Sequence, residues 1–314
     1  MTLLKNSTHF IVNLYHRKMK NSLLTLIFIF LFFAHAGAQE VGVEATSNIV
    51  LNIKPSQTDS KINRADTPHF VTYDPAIKQG KLLLFIPGTN GIASRGPKNF
   101  FNTALKQGYH VINLSYINTP AIAQICKGAA LEENANCAED FRNRRVYGTT
   151  PFSLISDASY DAIVNRLTKL LLYLSEKNVE GNWDKYLENG QPKWEEIALA
   201  GQSQGGGMSA FIAKTYRVAR VIDFSGGWDY SAKDKIADWY FKDSKTPLDR
   251  WYGTYHVKEP AAPTIIKTYK AMNIPEKHIY AFDLKVPDGK KAHSNGIRNI
   301  AYVADWIALL GKGN

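Results

Sequence analysis

Cysteine is scarce in this chain: Cys126 and Cys137 are the only two among 314 residues. No histidine lies near them, so a cysteine-based metal centre is not expected. In an exported chain an even pair at short range reads as a disulfide, with two free thiols as the alternative. Two other signatures are missing. There is no H-E-x-x-H, and no G-x-G-x-x-G follows an early strand, so neither a metal nor a dinucleotide cofactor is implied. No Pro/Gly/Ser-rich linker and no internal repeat divides the chain, so one large α/β domain is expected over residues 39–314. Basic residues outnumber acidic ones, 38 to 28, but they are scattered. The tightest group, Arg142, Arg144 and Arg145, follows Glu139-Asp140. That is a mildly basic surface and not a nucleic-acid footprint.

One strongly apolar run, Leu23–Phe33, follows Met19-Lys20 and is short for a membrane span. Ala36-Gly37-Ala38 then offers a small-residue cleavage site before Gln39. The expectation is a signal peptide over residues 1–38 whose true start is Met19, giving a periplasmic or secreted protein without stable membrane insertion. A membrane anchor is the alternative. No cysteine stands at the cleavage site, which argues against a lipoprotein. Residues 1–38 carry four basic residues and no acidic one, so their removal would take the formal charge from +10 to +6.

Beyond this leader the patterning alternates. Thr46–Ile53 and His69–Tyr73 read as opening strands. Leu82–Ile86 is wholly apolar, as a strand covered on both faces should be. A helix is expected at Lys98–Lys106 and a strand at His110–Ser115. Between Tyr116 and Pro151 the periodicity breaks, and residues 117–150 read as a lid-like insertion pinned by the cysteine pair. Ile155–Lys177 has a helical apolar face. After residue 218 come a strand at Ala219–Phe224, a helical piece at Ala232–Phe241 and a strand at Trp251–His256. A helix at Thr264–Met272, a strand at His278–Leu284 and a closing helix at Asn299–Leu310 complete the pattern. Strands and helices in alternation predict a mostly parallel central sheet flanked by helices.

The most informative stretch is Ile197–Gly207. A short apolar strand runs into Gly201-Gln202-Ser203-Gln204-Gly205, which fits the G-x-S-x-G nucleophile elbow. A helix is expected to follow, over Met208 to Tyr216. Glycine costs roughly 1 kcal/mol against alanine in a helix, so Gly205-Gly206-Gly207 at a helix start points to close backbone approach.

In motif and order the chain from Lys81 to Leu310 resembles the α/β-hydrolase superfamily. The resemblance implies a serine–acid–histidine triad in that chain order. Ser203 is the implied nucleophile. His256, His278 and His293 follow it. His293 is the implied base, because it sits between the last strand and the last helix, in what reads as a loop. The acid is left open: Glu259 after the strand ending at His256 comes first, with Asp229 and Asp223 as alternatives. An oxyanion hole would take the Gln204 N–H and a donor from Pro87-Gly88-Thr89-Asn90-Gly91, with Thr89 first and Asn90 second. The implied function is an exported serine hydrolase acting on a carboxylic ester, small or polymeric. A peptidase or thioesterase on the same fold, or a non-catalytic binding protein that retains it, are the alternatives. Trp228, Trp239, Trp251 and Tyr252 either line a pocket or belong to the core.

Overall fold

Every residue of Leu82–Ile86 is buried, and the run forms an interior strand of an eight-stranded sheet. The computed structural model describes residues 48–286 and 289–313. The leader expected over residues 1–38, with its start at Met19, lies outside the described residues. The strands are β1 (Ile49–Ile53), β2 (His69–Tyr73), β3 (Leu82–Ile86), β4 (His110–Asn113), β5 (Ile197–Gln202), β6 (Arg220–Phe224), β7 (Trp251–His256) and β8 (Ile279–Phe282). They lie in the order β1-β2-β4-β3-β5-β6-β7-β8. β2 pairs antiparallel with β1 and β4, and from β4 onward each neighbouring pair is parallel. This is the α/β-hydrolase arrangement.

The period-2 alternation of a strand divides each buried run between two cores. Leu82, Leu84 and Ile86 face one side, and Leu83 and Phe85 the other. The first side is covered by α3 (Ile163–Lys177), α4 (Gln204–Thr215) and α5 (Ala262–Ala271), through residues such as Leu170, Phe211 and Ile265. The second is covered by α1 (Lys98–Lys106) and α7 (Val303–Leu310), through Phe100, Phe101, Trp306 and Leu309. Both faces are sealed, which is why the interior strands carry no polar alternation.

Four segments differ from the sequence expectation. The helix expected at Ile155–Lys177 begins only at Ile163, after a 3₁₀ turn at Ser159–Asp161. Residues 117–150 are mostly helical, with short turns at Ile122–Ile125 and Ala129–Glu133 and then α2 (Cys137–Tyr147). The buried face of α2 is Cys137, Ala138, Phe141, Arg142, Arg145 and Val146. The spacing is helical, but two of the six are arginines, so hydrophobicity does not mark it. Arg142 is paired by Asp229 and Arg145 by Asp157, at 2.6 and 2.8 Å. Residues 232–241, expected to be helical, form the hairpin Tyr230–Ala232/Lys235–Ile236 and a 3₁₀ turn at Asp238–Phe241. His293 lies on a helix, α6 (Gly289–Arg298), and not in a loop. Ala292, Gly296 and Ile297 are buried on one side of it, among polar and charged neighbours.

Cys126 and Cys137 form a disulfide, with Cα atoms 5.6 Å apart, that ties the first short turn of this segment to the start of α2. Replacing both cysteines by serine should lower the unfolding free energy by about 3 kcal/mol, through the loop entropy returned to the unfolded chain. The Arg142–Asp229 and Arg145–Asp157 pairs should keep α2 in place. Urea titration followed by far-UV circular dichroism tests both: a lower midpoint with an unchanged native spectrum is expected.

Candidate active site

β5 ends at Gln202, and α4 begins at Gln204, so Ser203 alone makes the turn between them. Its backbone sits at φ +57°, ψ −125°, a region that costs an L-residue roughly 1–3 kcal/mol and persists only where the surroundings over-determine it. Here they do. The Ser203 N–H donates to the Phe224 carbonyl at 2.9 Å, and its carbonyl accepts from Gly207 N–H at 3.2 Å. The helix can start this close to the sheet because three residues of its first turn, Gly205, Gly206 and Gly207, carry no side chain. A Cβ at Gly205 would run into the Ile86 and Pro87 carbonyls, and one at Gly206 into the Asp223 carboxyl. The sequence expectation of close backbone approach is met, and the helix starts four residues earlier than expected.

Glu259 follows β7 in a turn closed by its own N–H on the His256 carbonyl, 3.0 Å away. Its side chain is almost fully buried and accepts three hydrogen bonds. Ser225 Oγ and His256 N–H both donate to Oε1 at 2.7 Å, and His293 Nδ1 lies 2.7 Å from Oε2. A carboxylate only accepts, so in the neutral imidazole the hydrogen is on Nδ1 and the lone pair on Nε2. The ring is further fixed by Trp228, whose indole meets it edge-on at 5.4 Å between centroids. The Gln202 side chain donates to the His293 carbonyl at 3.3 Å. Ser203 and His293 line one cleft of about 410 Å³, together with Thr89, Asn90 and Gln202. Among the hydrogen bonds of the described residues, none joins Ser203 Oγ to His293; the two share a cleft wall.

The other sequence candidates lie elsewhere. Asp229 is held by Arg142 through two hydrogen bonds, 2.6 and 2.8 Å, and by Trp239 Nε1 at 2.9 Å. Asp223 is buried under the elbow, and neither of its oxygens accepts a well-formed hydrogen bond. Burial pushes its pKa up from 3.8 to about 8, against the opposing pull of the Arg142 charge. His256 Nε2 contacts the Leu284 carbonyl at 2.9 Å, and His278 stacks on Tyr252, so both belong to the scaffold. Thr89 and Asn90 both line the cleft with Ser203; Asn90 is exposed at φ +59° and its Oδ1 accepts from Thr119. Gln204 opens α4, and its side chain bridges to the insertion: Oε1 accepts from Ile122 N–H and Nε2 donates to the Asn118 carbonyl, both at 2.9 Å. Of the four aromatic candidates, Trp239 and Trp251 are core, Tyr252 lies against Arg220, and Trp228 reaches the site.

Sequence reasoning did not assign Ser225, Gln202 or Arg142 a part in this arrangement. Ser225 carried a faint signal, at the end of a strand beside two glycines. Arg142 carried none, since its partner Asp229 lies 87 residues away.

No protein-family model and no curated protein sequence matches the chain. Among solved structures it is similar to S-formylglutathione hydrolase from Staphylococcus aureus, at 13% identity over 82% of this chain and 96% of that one, with a TM-score of 0.43. It is also similar to an esterase from Pyrococcus furiosus, at 10% identity over 88% and 97% of the two chains, TM-score 0.44. A bacterial heroin esterase is 14% identical over 90% of each chain, TM-score 0.46.

The two aspartates should respond oppositely to amide substitution. Asp229→Asn leaves the buried Arg142 charge unpaired and should cost about 3–5 kcal/mol of stability. Asp223 keeps its proton in the folded state up to about pH 8 but loses it in the unfolded chain above its ordinary value of 3.8. Its contribution is therefore complete at low pH and is lost as pH rises through that window. Asp223→Asn cannot ionise, so urea titrations from pH 5 to 8 should show the variant gaining steadily on the wild type.

Proposed function

We propose that the protein is an exported serine hydrolase of carboxylic esters, with Ser203 as nucleophile, His293 as general base and acid, and Glu259 as the residue that orients and stabilises the imidazole. The observation that carries this is one coincidence in space. A serine in a strained turn, and a histidine whose Nδ1 is tied to a buried carboxylate, line the same cleft. Serine is a weak nucleophile until a neighbouring base takes its proton. His293 Nε2 would take the Ser203 Oγ proton as Oγ bonds to the ester carbonyl carbon. The carbonyl oxygen, now an anion, would lie against the Gln204 and Thr89 N–H groups, for which the described residues provide no other acceptor. The imidazolium would then give its proton to the departing alkoxide, and the C–O bond breaks. Water, deprotonated by the same Nε2, would release the acid and restore Ser203. Glu259 would stay ionised throughout, its charge stabilising the imidazolium. Neither a metal nor an organic cofactor is needed. Export fits the Cys126–Cys137 disulfide, since such bonds persist in oxidising compartments.

Hydrolysis of p-nitrophenyl acetate and labelling by a fluorophosphonate probe test this directly. The wild type should turn over the ester and be labelled at Ser203. Ser203→Ala should abolish labelling and lower kcat by about 10⁴-fold or more. Glu259→Gln should retain labelling at a reduced rate and lose about 10³- to 10⁴-fold in kcat, because an amide no longer holds the useful tautomer. A folded wild type that neither hydrolyses nor labels would leave a binding protein on this fold.

A further inference from the structure

Ser203 stands between two cavities of different character. The cleft of about 410 Å³ has His293 in its wall, with the polar groups of Asn90, Ser294 and Arg298. On the other side is a pocket of about 40 Å³, lined by Ser203, Thr89, Gln204 and Trp228, in which His293 takes no part. Ile122, Ala123, Trp228 and Asp229 line this pocket and also a chamber of about 750 Å³. Sharing these four residues, the small pocket adjoins the chamber as a narrow neck beside Ser203. One wall of the chamber is the disulfide-tied insertion, through Cys126, Leu131, Ala135 and Ala138; the other is the hairpin Tyr230–Ala232/Lys235–Ile236 and the residues just before it.

The chemistry assigns the two sides. The leaving oxygen must receive its proton from His293, so the alcohol half of an ester lies in the cleft that contains His293. The acyl half stays on Ser203 after the alcohol departs and has to lie on the opposite side, in the neck and beyond it. Trp228 lines both the neck and the chamber while its indole stands against the His293 ring, so it partitions the two halves. The chamber has no net charge to offer an acid. Asp229 is neutralised by Arg142, and the exposed Lys127 and Lys233 are balanced by Glu132 and Asp234. Its size lies within the range of cavities that bury whole ligands, well above what an acetyl group fills.

We infer that this chamber is the acyl-binding site and that the substrates are esters of a long or bulky, uncharged, mainly apolar acid with a small or polar alcohol. The inference rests on the serine hydrolase reading above and narrows it. The disulfide then has a second consequence, since Cys126 is part of the chamber wall.

The test is the dependence of kcat/KM on acyl length, with p-nitrophenyl esters from acetate to decanoate. For the wild type kcat/KM should climb by roughly fourfold per added methylene until the chamber is full. Leu131→Trp and Ala135→Trp each place a large ring in the chamber and should flatten that slope. Ala135 is exposed, so its variant carries the measurement if Leu131→Trp does not fold. Ile92→Trp narrows the opposite cleft, so it should lower kcat/KM by a similar factor for every ester and leave the slope as it is. A flat or falling series in the wild type overturns the inference while leaving ester hydrolysis intact. So does a slope that Ile92→Trp flattens and the chamber variants do not. If no ester in the series is hydrolysed and the fluorophosphonate does not label Ser203, the hydrolase reading fails and this inference fails with it.

Discussion

The geometry of the site depends on one backbone conformation, that of Ser203. A residue with φ near +57° is held there only if both the strand before it and the helix after it are anchored independently. β5 is anchored by parallel pairing on both edges, to β3 and to β6. α4 is anchored because Gly205 in its first turn can lie directly on the Ile86 and Pro87 carbonyls. Lengthening the turn by a residue would relax the strain and withdraw Oγ from the cleft. The strain is therefore a consequence of how near the helix comes to the sheet.

A second constraint is the supply of donors to Glu259. Burying a carboxylate this deeply is costly unless its lone pairs are occupied. Ser225, the His256 amide and His293 occupy them, from three different segments of chain. Asp223, one strand away, shows the contrary case: equally buried and without such donors, it is pushed toward the protonated form. Asp229 shows a third solution, neutralised by a buried guanidinium. The three carboxylates that sequence alone left as rivals thus differ in their surroundings and not in their own chemistry.

The insertion joins the fold to the pocket. Its arginines would be poor core residues alone, but the charges they meet at Asp157 and Asp229 turn α2 into a buried helix. The Gln204 side chain fastens the same insertion to the elbow through Ile122 and Asn118. The chamber wall and the serine turn are therefore mechanically connected.

What the sequence determined by itself is what local pattern and excluded volume dictate. The apolar runs at Leu82–Ile86 and Ile197–Ala200 read as strands covered on both faces, and the glycines around Ser203 point to close approach. Lys98–Lys106 and Trp251–His256 have the bounds their periodicity predicts. The order of serine, candidate acids and histidine was legible for the same reason, because order along the chain needs no coordinates. Tertiary structure alone decided which carboxylate meets His293, since Glu259 and Asp229 are both plain loop acids until their partners arrive from 34 and 87 residues away. It alone showed that residues 137–147 are a helix, because the buried face includes two paired arginines that no apolar periodicity records, and that His293 stands on a helix and not in a loop. Burial and charge pairing are properties of neighbours in space, and a sequence lists neighbours only along the chain.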